Sequence, residues 1–388
     1  MRKEIYITDY NCVTPLGFNT ESNRNALLEG KSGVALHKIT GIQDACYAAM
    51  IDSDQLNEEF GRIFGDAQNN NDNFTRLEKM LLLSLHPLVK KHILSEDTAF
   101  ILSTTKGNIS LLKNQSELPE GVYLSKLAQK IANFFGFKTK PVVVSNACVS
   151  GVMAIAAAKN MIRAGKYKDA YVIAGDELSE FVISGFNSFQ AIGSGPCKPY
   201  DKNRDGINIG EAAAAAYITS CHSDEGRIPQ NEKFRFKILG DSAVNDANHI
   251  SGPSRTGDGL YASIKNAMTE ANVSAEQIDF ISAHGTATLY NDEMEAIAFN
   301  RMGLQNIPLN SMKGYYGHCL GASGLLESII SMEGALHSTL LPSKNFEEMG
   351  ISQPLNIIKE SQPAAVRYIL KTASGFGGCN AAIVLEKC

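Results

Sequence analysis

Alternating strand-like and helix-like stretches place this sequence in the α/β class. Short apolar runs such as TAFILS at Thr98–Ser103, VVV at Val142–Val144 and AYVIAG at Ala170–Gly175 end at turn-type residues. The order of such units recurs: Phe100–Ser103 before TTKG resembles Phe280–Ala283 before HGTA, and Val149-Ser150-Gly151-Val152 resembles Ala322-Ser323-Gly324-Leu325. A length of 388 residues exceeds one simple core and suits two packed halves. These observations predict a duplicated α/β unit, residues 1–231 and 232–388, with a site at the seam.

The elements follow in order. Glu4–Thr14 reads as a strand, and Thr20 is placed to cap the helix that follows. Asp52–Asn73 is polar and reads as a surface loop, a lid or disorder. Leu77–Ile93 and Leu124–Phe135 carry helical spacing, with strand Thr98–Ser103 between them. Ala212–Thr219 reads as a strand despite its alanines, because propensity is weak beside context. In the second half Phe234–Gly240, Ile278–Ala283, Ile307–Ser311, Ile369–Ser374 and Ala381–Glu386 read as strands. Gly259–Ala271, Glu293–Met302 and Gly324–Ser338 read as helices.

Pro141–Gly165 organises the rest: a strand predicted to be buried, a sharp turn with Cys148, and a helix apolar almost all round until Lys159. A thiol at that turn faces the positive end of the helix dipole, which favours thiolate. Free backbone N–H groups there suit an oxyanion.

Composition excludes several classes. The net charge of −5, with no basic block, argues against nucleic acid. No secretory h-region follows Met1, and no apolar run approaches the ~18–20 residues of a membrane span. The eight cysteines are scattered singly, which argues against a zinc site and a disulfide framework and for a cytoplasmic, reduced protein.

Polar groups concentrate in four glycine-containing stretches. They are SNACVSG with Cys148; AHGTATLYND with His284, Thr286, Thr288 and Asp292; NSMKGYYGHCLGASG with Lys313 and His318; and SGFGGCNA with Phe376. Each has an ordinary reading alone: a free Cys is usually inert, a His at a strand end structural, a lone Lys solvated. One Cys, two His and one Lys at strand-to-loop junctions instead suit convergence at one end of a sheet.

This ordered set resembles the β-ketoacyl-acyl carrier protein synthases of the type I/II class (KAS II-like), in the thiolase superfamily. The resemblance runs from TPLG at Thr14 through PYDKNRDGINIGEAA at Pro199–Ala213, HGTAT, Lys313-x4-His318 and GFGGCNAAIVLE. It implies a thiolase-like five-layered αβαβα sandwich of two duplicated halves, normally dimeric. It implies 3-oxoacyl-[acyl-carrier-protein] synthase activity: decarboxylative Claisen condensation of a Cys148-bound acyl group with malonyl-ACP, in fatty acid, polyene or polyketide-type synthesis. By the same resemblance His284 and His318 hold the malonyl thioester carbonyl, and Lys313 supports the site electrostatically. The N–H groups of Cys148 and Phe376 form the oxyanion hole, and Phe376 gates the acyl pocket. Thr286, Thr288 and Ser251 hydrogen-bond the phosphopantetheine arm, along a tunnel lined by Asp246 and His249. Glu327 and Asp292 are structural acids near the site. No metal and no tightly bound cofactor is implied, since substrates ride on the phosphopantetheine of acyl carrier protein. The assembly is a homodimer, or a heterodimer with a related subunit.

Some positions depart from the family pattern. Lys106 falls at or beside a position that usually faces the acyl pocket, where a cation is costly, so it lines that pocket, pairs with an acid or points to solvent. Ala212–Ala214 replace the usual small glycine-containing run, Ser374 a Phe, and Cys379 a Thr. These point to a specialised acyl substrate. A thiolase is the nearest rival, since Cys379 lies where thiolases keep a second Cys; a chain-length subunit is another, against which Cys148 stands. A nucleotide-binding protein is disfavoured because no intact phosphate-binding glycine motif appears.

Overall fold

A ten-stranded sheet wraps around two central helices. The computed structural model describes residues 3–65, 73–112, 117–220, 235–250 and 252–388. The strands are β1 (Ile5–Val13), β2 (Thr98–Ser103), β3 (Val142–Val144), β4 (Asp169–Asp176) and β5 (Ala212–Ser220). Then come β6 (Phe236–Asn245), β7 (Phe280–Ser282), β8 (Leu309–Asn310), β9 (Tyr368–Gly375) and β10 (Cys379–Lys387). Their order is β8-β7-β9-β10-β6-β1-β5-β4-β2-β3. Read outward from the β1–β6 junction, the two sets have the same order, so each strand of the first set has a counterpart in the second. The sets join through the antiparallel pairs Tyr6↔Lys237 and Ile7↔Phe236.

Six helices matter here: α1 (Arg76–Lys91), α2 (Leu124–Phe135), α3 (Ser150–Arg163), α4 (Asp258–Ala271), α5 (Leu289–Arg301) and α6 (Ser323–Leu336). α1 and α2 cover the outer face of the first strand set, and α4 and α5 that of the second. α3 and α6 fill the middle, giving the helix–sheet–helix–sheet–helix layering of a thiolase-like fold. The central helices touch backbone to backbone: a Cβ on Gly151 would lie 2.6 Å from the Leu325 nitrogen, and one on Gly324 2.6 Å from the Val152 nitrogen. Only glycine permits that approach. It brings the head of α3, with Cys148, against the head of α6, with His318 just before it.

Several sequence expectations change. β3 is a half-buried edge strand, because no strand of this chain pairs with its outer side among the described residues. Asn19, not Thr20, caps the first helix, accepting from the Ser22 N–H. Asp52 caps a helix over Ser53–Phe64, anchored by Leu56 and Phe60 four residues apart, where a loop was expected. A helix at Glu180–Ser188 had no sequence expectation at all. The 231/232 division falls outside the described residues.

Candidate active site

Cys148 sits on a turn that the chain must force. Ala147 has φ +43°, a left-handed conformation unusual for a residue with a Cβ. Ser150 clamps it: its Oγ accepts from the Asn146 N–H and donates to the Ala147 carbonyl, both at 2.7 Å. The sulfur therefore projects from the head of α3 into a cavity of about 530 Å³. The Phe376 backbone N–H donates to the Cys148 sulfur. A Cβ on Gly375 would stand 3.0 Å from the Cys148 nitrogen, so the Cys148 and Phe376 amides share one corner.

His318 Nε2 is 2.8 Å from Cys148 Sγ, and its Nδ1 is 3.0 Å from Ser323 Oγ. His284 stands edge-on to His318, with ring centroids 5.2 Å apart and planes at 81°. One side-chain atom from each of Cys148, His284 and His318 lies within 4.8 Å of the others. His284 Nδ1 is buried without a partner among the described residues, which leaves Nε2 as the nitrogen serving the cavity. Burial, then the Lys313 charge, push both imidazoles well below their ordinary pKa, with Lys371 adding to it. Both rings are neutral at physiological pH.

The thiol does not behave as the helix dipole alone suggests. Burial pushes Cys148 up to about 12, outweighing the lowering by Lys313, Lys106 and the Phe376 N–H. Asp176, buried beneath the turn, adds to the rise. The resting group is a thiol hydrogen-bonded to a neutral imidazole, not a free thiolate.

Carboxylates fix the histidine loops. Glu295 accepts from the His284 N–H at 2.8 Å and the Gly285 N–H at 2.7 Å. Asp292 accepts from the Thr286 N–H at 3.0 Å and the Tyr200 N–H at 2.7 Å. Burial and the neighbouring Glu295 raise Asp292 to about 7. Asp176 accepts from Gly321 N–H at 2.7 Å and from Thr104 Oγ1 at 2.8 Å, tying the first-half loop to the His318 loop. Glu327 bridges two fully buried amines, Lys313 and Lys371. Burial works to raise the Glu327 carboxyl, and the two lysines outweigh it.

Residues 2–222 match the beta-ketoacyl synthase N-terminal domain, and residues 236–347 the beta-ketoacyl synthase C-terminal domain. The chain belongs to the β-ketoacyl synthase family. It is 27% identical over 431 residues to a Schizosaccharomyces pombe protein named as a mitochondrial 3-oxoacyl-[acyl-carrier-protein] synthase, covering 99% of both chains. It is 25% identical over 417 residues to 3-oxoacyl-[acyl-carrier-protein] synthase 2 of Staphylococcus aureus, covering 99% of this chain and 98% of that one. Among solved structures, a ketosynthase in complex with its chain length factor from Xenorhabdus doucetiae superposes with a TM-score of 0.83 at 25% identity, covering 100% of this chain and 98% of that one.

In this β-ketoacyl synthase, Cys148, His284, His318, Thr286, Thr288 and Phe376 line one cavity, as do Asp246 and His249. Thr286 and Thr288 face each other, their hydroxyl oxygens 2.8 Å apart. Phe376 stacks on Phe186 and meets Phe189 edge-on, both at 5.4 Å, forming an aromatic mouth. Lys313, Glu327 and Asp292 lie behind the cavity wall. Lys106 does not line the cavity: its side chain is exposed, so a chain-internal acyl pocket bears no desolvation cost from it. Ser251 lies outside the described residues. Cys379 also stays off the cavity, with its thiol donating to Asn146 Oδ1 at 2.8 Å.

Sequence reading missed Lys371, Glu295, Asp176 and Ser323. Glu295 and Asp292 share a helix face at i, i+3, which was readable. Lys371 left one trace, a lone cation inside the apolar run YILKTASG. No helix among the described residues is long and apolar enough to cross a membrane.

Proposed function

We propose that this β-ketoacyl synthase acts as a 3-oxoacyl-[acyl-carrier-protein] synthase, with Cys148 carrying the acyl chain and His284 and His318 driving decarboxylation. The juxtaposition of Cys148 Sγ and His318 Nε2 at 2.8 Å, with His284 beside them, carries the reading.

In the first half-reaction Cys148 Sγ attacks the thioester carbonyl carbon. Because the thiol is raised to about 12, attack requires a base in contact, and His318 Nε2 takes the proton. The Cys148 and Phe376 N–H groups receive the oxyanion. The carbon–sulfur bond to pantetheine breaks, and His318 passes the proton to the departing sulfur.

Acylated Cys148 no longer donates a hydrogen bond. Ser323 Oγ both donates and accepts, so it supports the His318 tautomer with its proton on Nε2. His284 and His318 then present two N–H donors to the malonyl thioester oxygen. The bond to the carboxylate breaks, carbon dioxide leaves, and negative charge develops on that oxygen. Neutral donors held in a buried site stabilise it without reorganising. The enolate carbon attacks the acyl-Cys148 carbonyl, and the Cys148 sulfur leaves, recovering one proton from solvent. Thr286 and Thr288, at the cavity wall, hold the pantetheine arm.

Acyl carrier protein is the partner that delivers both substrates. The likeness to a ketosynthase bound to a chain length factor supports a second reading, in which this chain is the Cys-bearing member of a heterodimer. The described cysteines are all free thiols, which supports a reducing compartment such as the cytoplasm. The test is a mass-resolved condensation assay with acyl-ACP and malonyl-ACP. The proposal expects 3-oxoacyl-ACP and carbon dioxide in equal amounts with wild type and no 3-oxoacyl-ACP with Cys148→Ser. Product from Cys148→Ser at the wild-type rate refutes it.

A further inference from the structure

β9 sends one charged side chain into the core. Lys371 is fully buried between Ser282 of β7 and Ile383 of β10, where an aliphatic residue would satisfy the strand. Its Nζ donates to Glu327, and to the Ser282 and Ala283 carbonyls at 3.3 and 3.4 Å. Those carbonyls belong to the last two residues before His284. Glu327 meanwhile holds Lys313 with its other oxygen. One amine thus links the carboxylate on α6 to the strand end that aims His284.

Burying a lysine is expensive, and a well-packed hydrophobic replacement is often as stable or more so. Fold alone gives this strand no reason to carry one. The local charges do: two buried amines face one Glu327 carboxylate, which opposes the lowering of Lys371 by burial, with Glu295 acting on Lys371 in the same direction.

We propose that Lys371 is a positioning residue for the decarboxylation step, fixing Glu327 and the β7 end that carries His284 and placing a second buried cation behind the enolate oxygen. The inference rests on the function proposed above. Its field opposes protonation of His284 and His318, so it keeps them neutral donors, and it favours the negative charge that develops between them. The charged and titratable groups around the imidazoles are Cys148 at the head of α3, Asp292 and Glu295 on α5, Lys313, Glu327 on α6, and Lys371 itself, with Asp176 and Lys106 acting on Cys148. Of these, Lys371 can be neutralised without touching a group that contacts substrate.

The test compares Lys371→Met with Lys371→Arg in steady-state condensation from pH 5 to 9, alongside the rate of acyl transfer to Cys148 read by intact mass. For Lys371→Met, kcat falls about tenfold at neutral pH. KM for acyl-ACP stays at wild type, and the acylation rate does not fall at neutral pH, since His318 becomes the stronger base. The acid limb of kcat moves to higher pH, because the imidazoles protonate more easily once a repelling cation is gone. Lys371→Arg restores the limb toward wild type. A folded Lys371→Met enzyme with wild-type kcat and an unmoved limb overturns the proposal. So does an equal loss of acylation and condensation with the limb unmoved, which marks a structural residue. If Lys371→Met does not fold, Lys371→Gln keeps a donor to the strand carbonyls without the charge and is read the same way. Absence of acylation in wild type would instead overturn the function itself, so the two failures are distinct.

Discussion

Cys148 Sγ and His318 Nε2 stand 2.8 Å apart in a buried corner where neither group carries a charge at rest. The helix dipole that favours a thiolate at this position is outweighed by burial. Reactivity therefore depends on proton transfer at the moment of attack. Small alkylating agents test this directly. With the contacting base removed, in His318→Ala, the alkylation rate of Cys148 should climb by about tenfold per unit between pH 6 and 9, since the thiolate fraction grows throughout when the pKa lies above the range. A rate that levels off above pH 7 would mean a low-pKa thiolate. Following alkylation by peptide mass keeps the other cysteines out of the reading.

On the proposed mechanism the two histidines divide the work. His284→Ala should leave acyl transfer to Cys148 near wild type and cut condensation by about 10²–10³, the usual cost of one oxyanion donor. His318→Ala should impair both half-reactions, because that ring touches the sulfur and also faces the second donor. Separate timing of acylation and malonyl decarboxylation checks the division. Equal loss of acylation in both variants would contradict it.

Condensation should persist on the acid side of the usual imidazole range. Burial and Lys313 lower both histidines, so the neutral donor form survives as pH falls through ~6.5, the value of a free imidazole. The measurement is kcat against pH with saturating malonyl-ACP. An acid limb centred at the free-imidazole value would show that the site does not shield the rings.

Gly151→Ala should cost about 1–3 kcal/mol, since its Cβ would press on the Leu325 nitrogen at 2.6 Å. The contact is to backbone, so relief requires α3 and α6 to separate, and the Cys148–His318 distance changes with them. Thermal unfolding reads the stability, and activity should fall in the folded fraction as well. An unchanged melting temperature would mean the helices tolerate a wider spacing.

Cys379→Ser should leave condensation intact. Its thiol is committed to Asn146 and does not line the cavity that holds Cys148. Thiolase chemistry needs a second reactive Cys facing the same substrate. Loss of turnover with normal folding in this variant would favour that chemistry.

Much of this site was legible because its reactive groups sit at strand-to-loop junctions punctuated by glycine, as at His284-Gly285 and Gly317-His318. The supporting network was not. Asp176 ends an apolar strand and looks like a turn residue, yet it joins the Thr104 and Gly321 loops. Lys371 has neighbours that come from distant segments, and no local pattern marks a buried cation whose partner is Glu327. Lys106 follows TAFILS closely and was readable only as near the pocket, since exposure depends on how the loop leaves β2. The helix at Ser53–Phe64 was hidden by its many polar residues, although Leu56, Phe60, Ile63 and Phe64 recur at helical spacing and pack against the core. The sequence places Cys148 at the head of a central helix, as the structure does, but its burial was not legible, because burial is a property of the packed whole.

The measurement that bears most directly on the central claim is intact-protein mass spectrometry after brief exposure to acyl-ACP without malonyl-ACP. A single acyl adduct that maps to Cys148, is absent in Cys148→Ala and disappears on adding malonyl-ACP is the predicted result. An adduct on another residue, or one on Cys148 that malonyl-ACP does not discharge, would contradict it.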